Sequence, residues 1–348
     1  MTSSDTSAVR NSRWLVLPVM LILALLGGCV LACVGLRMLN VPRRESIFTA
    51  RPASNVIAFE TDRGEGPQIY VMYPDGTQQT RLTYNVRLST DWWWPFPVVG
   101  GDRIPYMLLP SPEQDGSVMF RTTFEGDYYA YSIYIDGSQQ VRIPSPRAGD
   151  PTALWSPARS ELAFTTAESQ LFVVSRDGTT QRCLTCASSL NVANFAWSPE
   201  GQQIVFSGFM AEAGNIYRIN RDGTGLIKLT NISEGFNDEP AWSLDGQRIA
   251  FRSNRDGPTQ IYVMNADGSG EQRLTTSRGN DLYPAWSPDG QHITFTSYSD
   301  NPQGDIYIIK PDGSGRQRLT MGQGSHQRSV WIHVPASYCK THVCEGVP

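Results

Sequence analysis

A repeat of about 45 residues constrains the fold of this chain more than any other feature. Its clearest copies are EPAWSLDGQRIAFRSNRDGPTQIYVMNADGSGEQRLT at 239–275 and YPAWSPDGQHITFTSYSDNPQGDIYIIKPDGSGRQRLT at 283–320. Two markers follow the period, the tryptophan of the first motif and a later Asp-Gly pair. The tryptophans are Trp155, Trp197, Trp242, Trp286 and Trp331. The Asp-Gly pairs begin at Asp75, Asp136, Asp177, Asp222, Asp267 and Asp312. A period of this length indicates an array of supersecondary units.

Each copy reads as four short strands, which we call A (PAWS), B (RIAFRS), C (QIYVMN) and D (EQRLT). The segments SPDG and ADGSG supply turns, because proline fixes φ and glycine accepts a positive φ. Apolar residues fill strands B and C with little alternation, which fits sheets covered on both faces. Four strands in about 40–45 residues are typical of one propeller blade.

The ends of the repeat array predict how it closes. The chain enters its first unit at strand B, residues 55–62, and SVWIHV around Trp331 is a strand A without a following B. Trp94 lies 19 residues after Asp75, the usual spacing, and is therefore predicted as a sixth marker. The extra length of the second unit is assigned to a long loop at 109–127. The sequence thus predicts an all-β, six-bladed β-propeller with four strands per blade, closed by the C-terminal strand.

The pattern resembles the TolB-type, WD-repeat-like β-propeller family, whose signature is close to AWSPDGxxIAFxS…IYxMxxDGSGxxxLT. The resemblance covers residues 53–335, and it is strong in the last three units and weak in the second. It implies a six-bladed propeller with an extracytoplasmic, mostly protein-binding role. The chain departs from the family pattern in having a hydrophobic N-terminal segment, so the family's own partner is not carried over.

That segment, residues 14–36, carries no charge and would span about 35 Å as a helix. We predict an N-terminal tail at 1–13, a transmembrane helix at 14–36, a linker at 37–52, the propeller at 53–335 and a Cys-containing tail at 336–348. Two alternatives stay open, a cleaved signal peptide and a lipoprotein lipidated at Cys29. All three place the propeller on the extracytoplasmic side of the cell membrane.

The cysteines outside that segment form two close pairs, Cys183 with Cys186 and Cys339 with Cys344. An extracytoplasmic location favours disulfides. The link between Cys339 and Cys344 is expected, whereas strand geometry could hold Cys183 and Cys186 apart. A zinc site built from both pairs is the alternative.

The charge balance of −4 at pH 7 does not predict nucleic-acid binding, which needs a concentrated basic face. The chain has four histidines and no G-x-S-x-G motif. We therefore expect a non-enzymatic module without cofactor or metal, bound to a protein partner such as a component of the cell envelope.

Loops that differ between units are the best places to look for a site. The D–A loops and the adjoining tryptophan-rich segment supply the partner-binding candidates Asp150, Asn237, Asp238, Asp281, His326, Trp92 and Trp93. The acidic and amide residues among them either cap local turns or form a mildly acidic channel mouth. Two further alternatives are a carbohydrate-active or lyase-type enzyme with a metal on Asp150, Asp281 and His326, and a glycan-binding protein using Trp92 or Trp93.

Overall fold

Antiparallel pairing between successive strands builds almost all of the fold. The computed structural model describes residues 48–63, 67–83, 107–109, 115–124, 127–138, 141–143, 153–210, 213–322, 324–340, 342 and 344. All of these belong to one compact part of the chain, Ile47–Pro348. The predicted transmembrane helix at 14–36, with Cys29, lies outside them. None of the described stretches forms a helix long and apolar enough to cross a bilayer.

The strands of the described residues group into six four-stranded units. Unit 1 contains β1 (Ser54–Asp62), β2 (Pro67–Met72) and β3 (Thr80–Arg81), and unit 2 contains β4 (Met107–Leu109), β5 (Ser117–Phe124), β6 (Asp127–Tyr134) and β7 (Val141–Ile143). Unit 3 contains β8 (Leu154–Trp155), β9 (Glu161–Thr165), β10 (Leu171–Ser175) and β11 (Gln181–Cys183). Unit 4 contains β12 (Asn191–Trp197), β13 (Gln203–Met210), β14 (Ala213–Asn220) and β15 (Ile227–Lys228).

Unit 5 contains β16 (Gly235–Trp242), β17 (Arg248–Ser253), β18 (Gln260–Asn265) and β19 (Gln272–Arg273), and unit 6 contains β20 (Asp281–Trp286), β21 (Ile293–Ser297), β22 (Asp305–Ile309) and β23 (Gln317–Arg318). The last strand is β24 (Ser325–Val334), followed by a 3₁₀ turn at Tyr338–Lys340. Within units 2 to 6 the strands follow chain order. A short parallel pairing of β14 with β16 joins units 4 and 5 into one eight-stranded sheet.

The C-terminal strand completes the N-terminal unit. Strand β24 pairs antiparallel with β1, so that the sheet order is β24-β1-β2-β3. In this register Trp331 lies opposite Ile57, as Trp286 lies opposite Ile293 in unit 6. The pairing predicted from the orphan copy of strand A is therefore observed.

Aromatic side chains in the second strand of each unit form the repeated core. They are fully buried and comprise Phe59, Phe120, Phe164, Phe206, Phe251 and Phe295. Hydrophobic clusters continue from unit 1 to unit 2, from unit 3 through to unit 6, and from unit 6 back to unit 1. The units therefore stack on each other by their faces, which is why strands B and C are apolar on both sides.

The second unit differs from its sequence prediction. Residues 109–127 are not a long loop, because Ser117–Phe124 is strand β5, paired with β4 and β6. The first strand of this unit begins at Met107, thirteen residues after Trp94, which lies outside the described residues. The additional residues of this unit therefore come before β4. The tryptophan marker predicted the wrong position for the first strand, because β4 itself contains no tryptophan.

The repeated Leu-Thr after strand D has a structural role. The hydroxyl of Thr275 accepts a hydrogen bond from the main-chain N–H of Ile261 at 3.0 Å and donates one to Gln260 at 3.0 Å. Corresponding bonds are made by Thr83, Thr185, Thr230 and Thr320. This motif fixes the end of strand D against the start of strand C, because a buried hydroxyl must be hydrogen-bonded.

Candidate functional site

The predicted D–A loop residues occupy equivalent places in their strands. Asn237 pairs with Ser253, Asp281 with Ser297 and His326 with Thr61, in each case where strand A begins beside the end of strand B. The equivalence expected from the sequence is thus present. Their predicted exposure at an open channel mouth is not observed, because Asn237, Asp281 and His326 are completely buried.

Each of the three side chains is held by polar neighbours. Asn237 donates to Thr230 at 3.0 Å and accepts from Arg255 at 2.8 Å. Ser277 donates to Asp281 at 2.9 Å, and burial raises the pKa of the Asp281 carboxyl.

His326 is similarly enclosed. Its Nδ1 lies 2.8 Å from the Thr61 hydroxyl, and its Nε2 lies 4.0 Å from Asp305. Burial lowers the pKa of His326 to about 4, with Arg63 acting in the same direction. The imidazole is therefore neutral near pH 7. These contacts fit the capping interpretation, and partner binding by these three residues stays a prediction.

Asp150, Trp92 and Trp93 lie outside the described residues. Within the described ranges, no three His, Cys, Asp or Glu side chains come together in a way that could hold a metal ion. Asp281 and His326 belong to different hydrogen-bonded sets, in strands β20 and β24. The metal-dependent alternative stays a prediction.

A second group of residues, which the sequence did not indicate, lies three positions before the tryptophan of strand A. Here the first strands of units 5, 6 and 1, which we call inner strands (β16, β20 and β24), carry a β-bulge opposite strand B. Glu239, Tyr283 and Arg328 have φ values of 52°, 58° and 43°. Non-glycine residues in the left-handed region are uncommon, and such strain concentrates at functional sites. Bulges also redirect side chains.

These residues form one contact network where the first strands of neighbouring units meet. We call it the inner-strand cluster, and its members are Glu60, Asp238, Glu239, Arg252, Tyr283 and Arg328. Strands β12, β16, β20, β24 and β4 contact one another in that order, so the cluster crosses several unit boundaries.

Asp238 is the ionised anchor of the cluster. Arg252 donates to it at 3.0 Å, Asn194 donates from unit 4 at 2.8 Å, and the Ser207 hydroxyl donates at 2.6 Å. Burial by itself would raise the pKa of Asp238, but the hydrogen bonds from Ser207 and Asn194 and the charge of Arg252 lower it below its usual range. This candidate from the sequence is therefore part of the cluster, although only 6% exposed.

Glu239 links units 5 and 6. Its Oε2 accepts the main-chain N–H of Tyr283 at 3.0 Å and lies 3.4 Å from Nε of Arg252. Burial raises the pKa of Glu239 to about 7, against the opposing charge of Arg252. The guanidinium of Arg328 lies over the Tyr283 ring, 4.7 Å from its centroid, which is a cation–π contact.

Glu60 extends the cluster to unit 2. Its Oε1 accepts the main-chain N–H of Leu108 at 2.9 Å. Burial raises the pKa of Glu60 to about 7, although the Leu108 hydrogen bond and Arg328 act in the opposite direction. For Arg328, burial lowers the pKa, but Tyr283, Glu60 and Glu239 together raise it above its ordinary value.

The cluster can therefore offer charged groups of both signs. Three carboxyls face two guanidinium groups, and two of the carboxyls exchange protons near neutral pH. Such a set can recognise polar and charged groups of a partner, because complementary charges give specificity. The sequence analysis missed this cluster, because the three bulge positions hold different residue types, Glu, Tyr and Arg. The available signal was that the copies of the repeat differ at the position three residues before the tryptophan.

Both cysteine pairs are joined as disulfides. The Cα atoms of Cys183 and Cys186 are 5.7 Å apart, and those of Cys339 and Cys344 are 5.5 Å apart. The end of strand β11 thus brings Cys183 and Cys186 together.

The class of protein follows from this geometry. Four-stranded antiparallel units that stack by their faces, with contacts between successive first strands, define a β-propeller. Residues 168–336 match the TolB beta propeller domain family. This match supports the TolB-type β-propeller family that the repeat signature indicated.

Solved structures agree at the level of the fold. TolB from Acinetobacter baumannii is 18% identical with a TM-score of 0.64, over 82% of this chain and 68% of that one. A putative TolB from Agrobacterium tumefaciens is 21% identical with a TM-score of 0.53, over 81% and 99%. A chain of a nidogen/laminin complex is 11% identical with a TM-score of 0.57, over 81% and 99%. A search of curated proteins found no match.

Proposed function

We propose that this chain is a six-bladed β-propeller that binds a protein partner on the extracytoplasmic side of a membrane. The six four-stranded units and the pairing of β24 with β1 support six blades closed by the C-terminal strand. The uncharged segment 14–36 supports a membrane anchor.

The observation that carries the binding role is the inner-strand cluster. Three successive inner strands hold non-glycine residues in the left-handed region, and they direct Glu239, Tyr283 and Arg328 to the place where the blades meet. In a closed ring this place is the central channel. A partner segment entering the channel would meet charges of both signs beside the ring of Tyr283.

The end of the propeller nearest the cluster also offers apolar contacts. Met210, at the end of β13, is 52% exposed, and Met321, after the fourth strand of unit 6, is 71% exposed. Methionine adapts to varied partner surfaces because it is unbranched and polarizable.

The opposite end carries nearly identical turns. Asp75, Asp177, Asp222, Asp267 and Asp312 each accept the main-chain N–H two residues later. These carboxylates are used within their own turns. A face that repeats from blade to blade offers little for a specific partner to distinguish.

Photo-cross-linking of the full chain in its native membrane tests this proposal. A photoreactive amino acid replaces Ala193, which is exposed in the bulge of β12 next to Asn194. The control carries it at Leu244, 40% exposed in the turn after β16. We expect a discrete adduct at position 193 and none at 244. An equal adduct at both positions, or one at 244 alone, would contradict the proposed face.

A further inference from the structure

The two disulfides differ in what they do for the fold. Cys344 is 6% exposed, and its main chain bridges to Ala50. Beside it, the rings of Tyr338 and His342 stack at 4.1 Å. This disulfide belongs to a buried contact between the C-terminal tail and the start of the propeller. The link between Cys183 and Cys186 has different surroundings.

Cys183 and Cys186 flank the Leu-Thr motif of unit 3. Leu184 donates its N–H to the carbonyl of Leu171, and Thr185 accepts the N–H of Leu171 at 2.9 Å. Unit 5 makes the same two bonds without any cysteine, with Arg273 in the place of Cys183 and Thr276 in that of Cys186. These two bonds of the Leu-Thr motif therefore do not depend on the disulfide.

The pair is also open to reaction. Cys186 is exposed, while Leu184 and Thr185 between the two cysteines are buried and hold the loop in place. The main-chain N–H of Cys186 donates to the Sγ of Cys183 at 2.9 Å. A hydrogen bond to sulfur favours the thiolate form, because the charged state accepts it more strongly.

We propose that Cys183 and Cys186 are a site of thiol–disulfide exchange with an external thiol or dithiol. A partner thiolate attacks the Sγ of Cys186 and forms a mixed disulfide. The Cys183–Cys186 bond breaks, and its electron pair stays on the Sγ of Cys183, where the Cys186 N–H stabilises the thiolate. A second partner thiolate then attacks the partner's own sulfur. The partner leaves as a disulfide, Cys186 is released as a thiolate, and both cysteines take up protons.

The test uses the full chain and graded mixtures of reduced and oxidised glutathione, followed by acid quenching, alkylation and mass mapping. The Cys339–Cys344 pair is the internal control in every sample. We expect Cys183–Cys186 to be half reduced at a glutathione concentration at least 10-fold lower than the one that half reduces Cys339–Cys344. The protein should still be folded at that concentration. Opening of both pairs together, or of Cys339–Cys344 first, would overturn the proposal.

The quenched samples also locate the mixed disulfide. We expect glutathione on Cys186 at least 5-fold more often than on Cys183, and an even distribution would refute the attack at Cys186. The variant with Cys183→Ser and Cys186→Ser should melt within about 2 °C of the wild type, because the bonds of the Leu-Thr motif form in unit 5 without a disulfide. A larger loss of stability would show a structural disulfide and contradict the exchange role.

Discussion

The carboxylate of Glu239 accepts the main-chain N–H of Tyr283 at 3.0 Å, and both residues lie in the left-handed region of backbone conformation. One bulge is thus tied to the next across a unit boundary. The main-chain N–H of Arg328 also bonds to the preceding unit, donating to the Thr296 hydroxyl in strand β21 at 3.1 Å. The bulges of three inner strands are held in register by bonds that a change of side chain would break.

The raised pKa of Glu239 predicts a pH-dependent stability. Its pKa is about 7 in the folded protein and 4.5 in the reference state, so the folded protein binds the extra proton between these values. The contribution of Glu239 to the free energy of unfolding is therefore fully present below pH 4.5 and is lost as the pH rises through 7. The loss is up to about 3 kcal/mol.

Urea unfolding of the full chain from pH 4.5 to 8 measures this effect. We expect Glu239→Gln to reduce the pH dependence, because glutamine cannot ionise, while Glu60, whose pKa is also raised to about 7, keeps the remainder. Glu200→Gln, in an exposed turn, should retain the wild-type profile. Parallel profiles for Glu239→Gln and the wild type would show that this carboxyl does not titrate as inferred.

The Leu-Thr motif offers a matched pair of adjacent threonines. Thr275 is 1% exposed and holds Ile261 and Gln260, whereas Thr276 is exposed. We expect Thr275→Val to lower the free energy of unfolding by about 1–3 kcal/mol, because it leaves a buried main-chain donor unpaired. Thr276→Val should change it by less than about 0.5 kcal/mol. Equal effects in denaturant titrations would remove the structural role given to the motif.

Trp331 tests the joining of the chain ends. It packs with Ile57, Phe59 and Ile306, and so connects units 1 and 6. We expect Trp331→Ala to cost about 3–5 kcal/mol and to lower the melting temperature of the whole propeller. Leu244→Ala, at an exposed turn, is the control. An unchanged melt for Trp331→Ala would contradict closure through β24.

The repeat was sufficient to predict the strands and their pairing, because each copy combines apolar strands with turn residues at fixed spacing. It failed in unit 2, where the first strand, Met107–Leu109, has no tryptophan to mark it. The burial of Asp281 and His326 was also missed, since a polar residue beside a glycine-containing loop reads as exposed. Their partners, Ser277 and Thr61, become neighbours only through strand pairing.

The left-handed backbone of the bulge residues could not be predicted, for a related reason. Left-handed φ values are usually signalled by glycine, and Glu239, Tyr283 and Arg328 give no such signal. Their conformation depends on the tertiary bonds around them. The cluster is therefore a property of neighbouring units and not of any one copy of the repeat.

The most direct test of the proposed binding role is cross-linking from position 193 in two charge-removing variants. Arg328→Gln removes a cation of the inner-strand cluster, and Lys310→Gln removes an exposed cation at a turn of the opposite end. Melting curves should show that both proteins are folded, and the adduct should fall at least 10-fold only in Arg328→Gln. An adduct that persists in folded Arg328→Gln, or disappears in Lys310→Gln, would contradict binding through the inner-strand cluster.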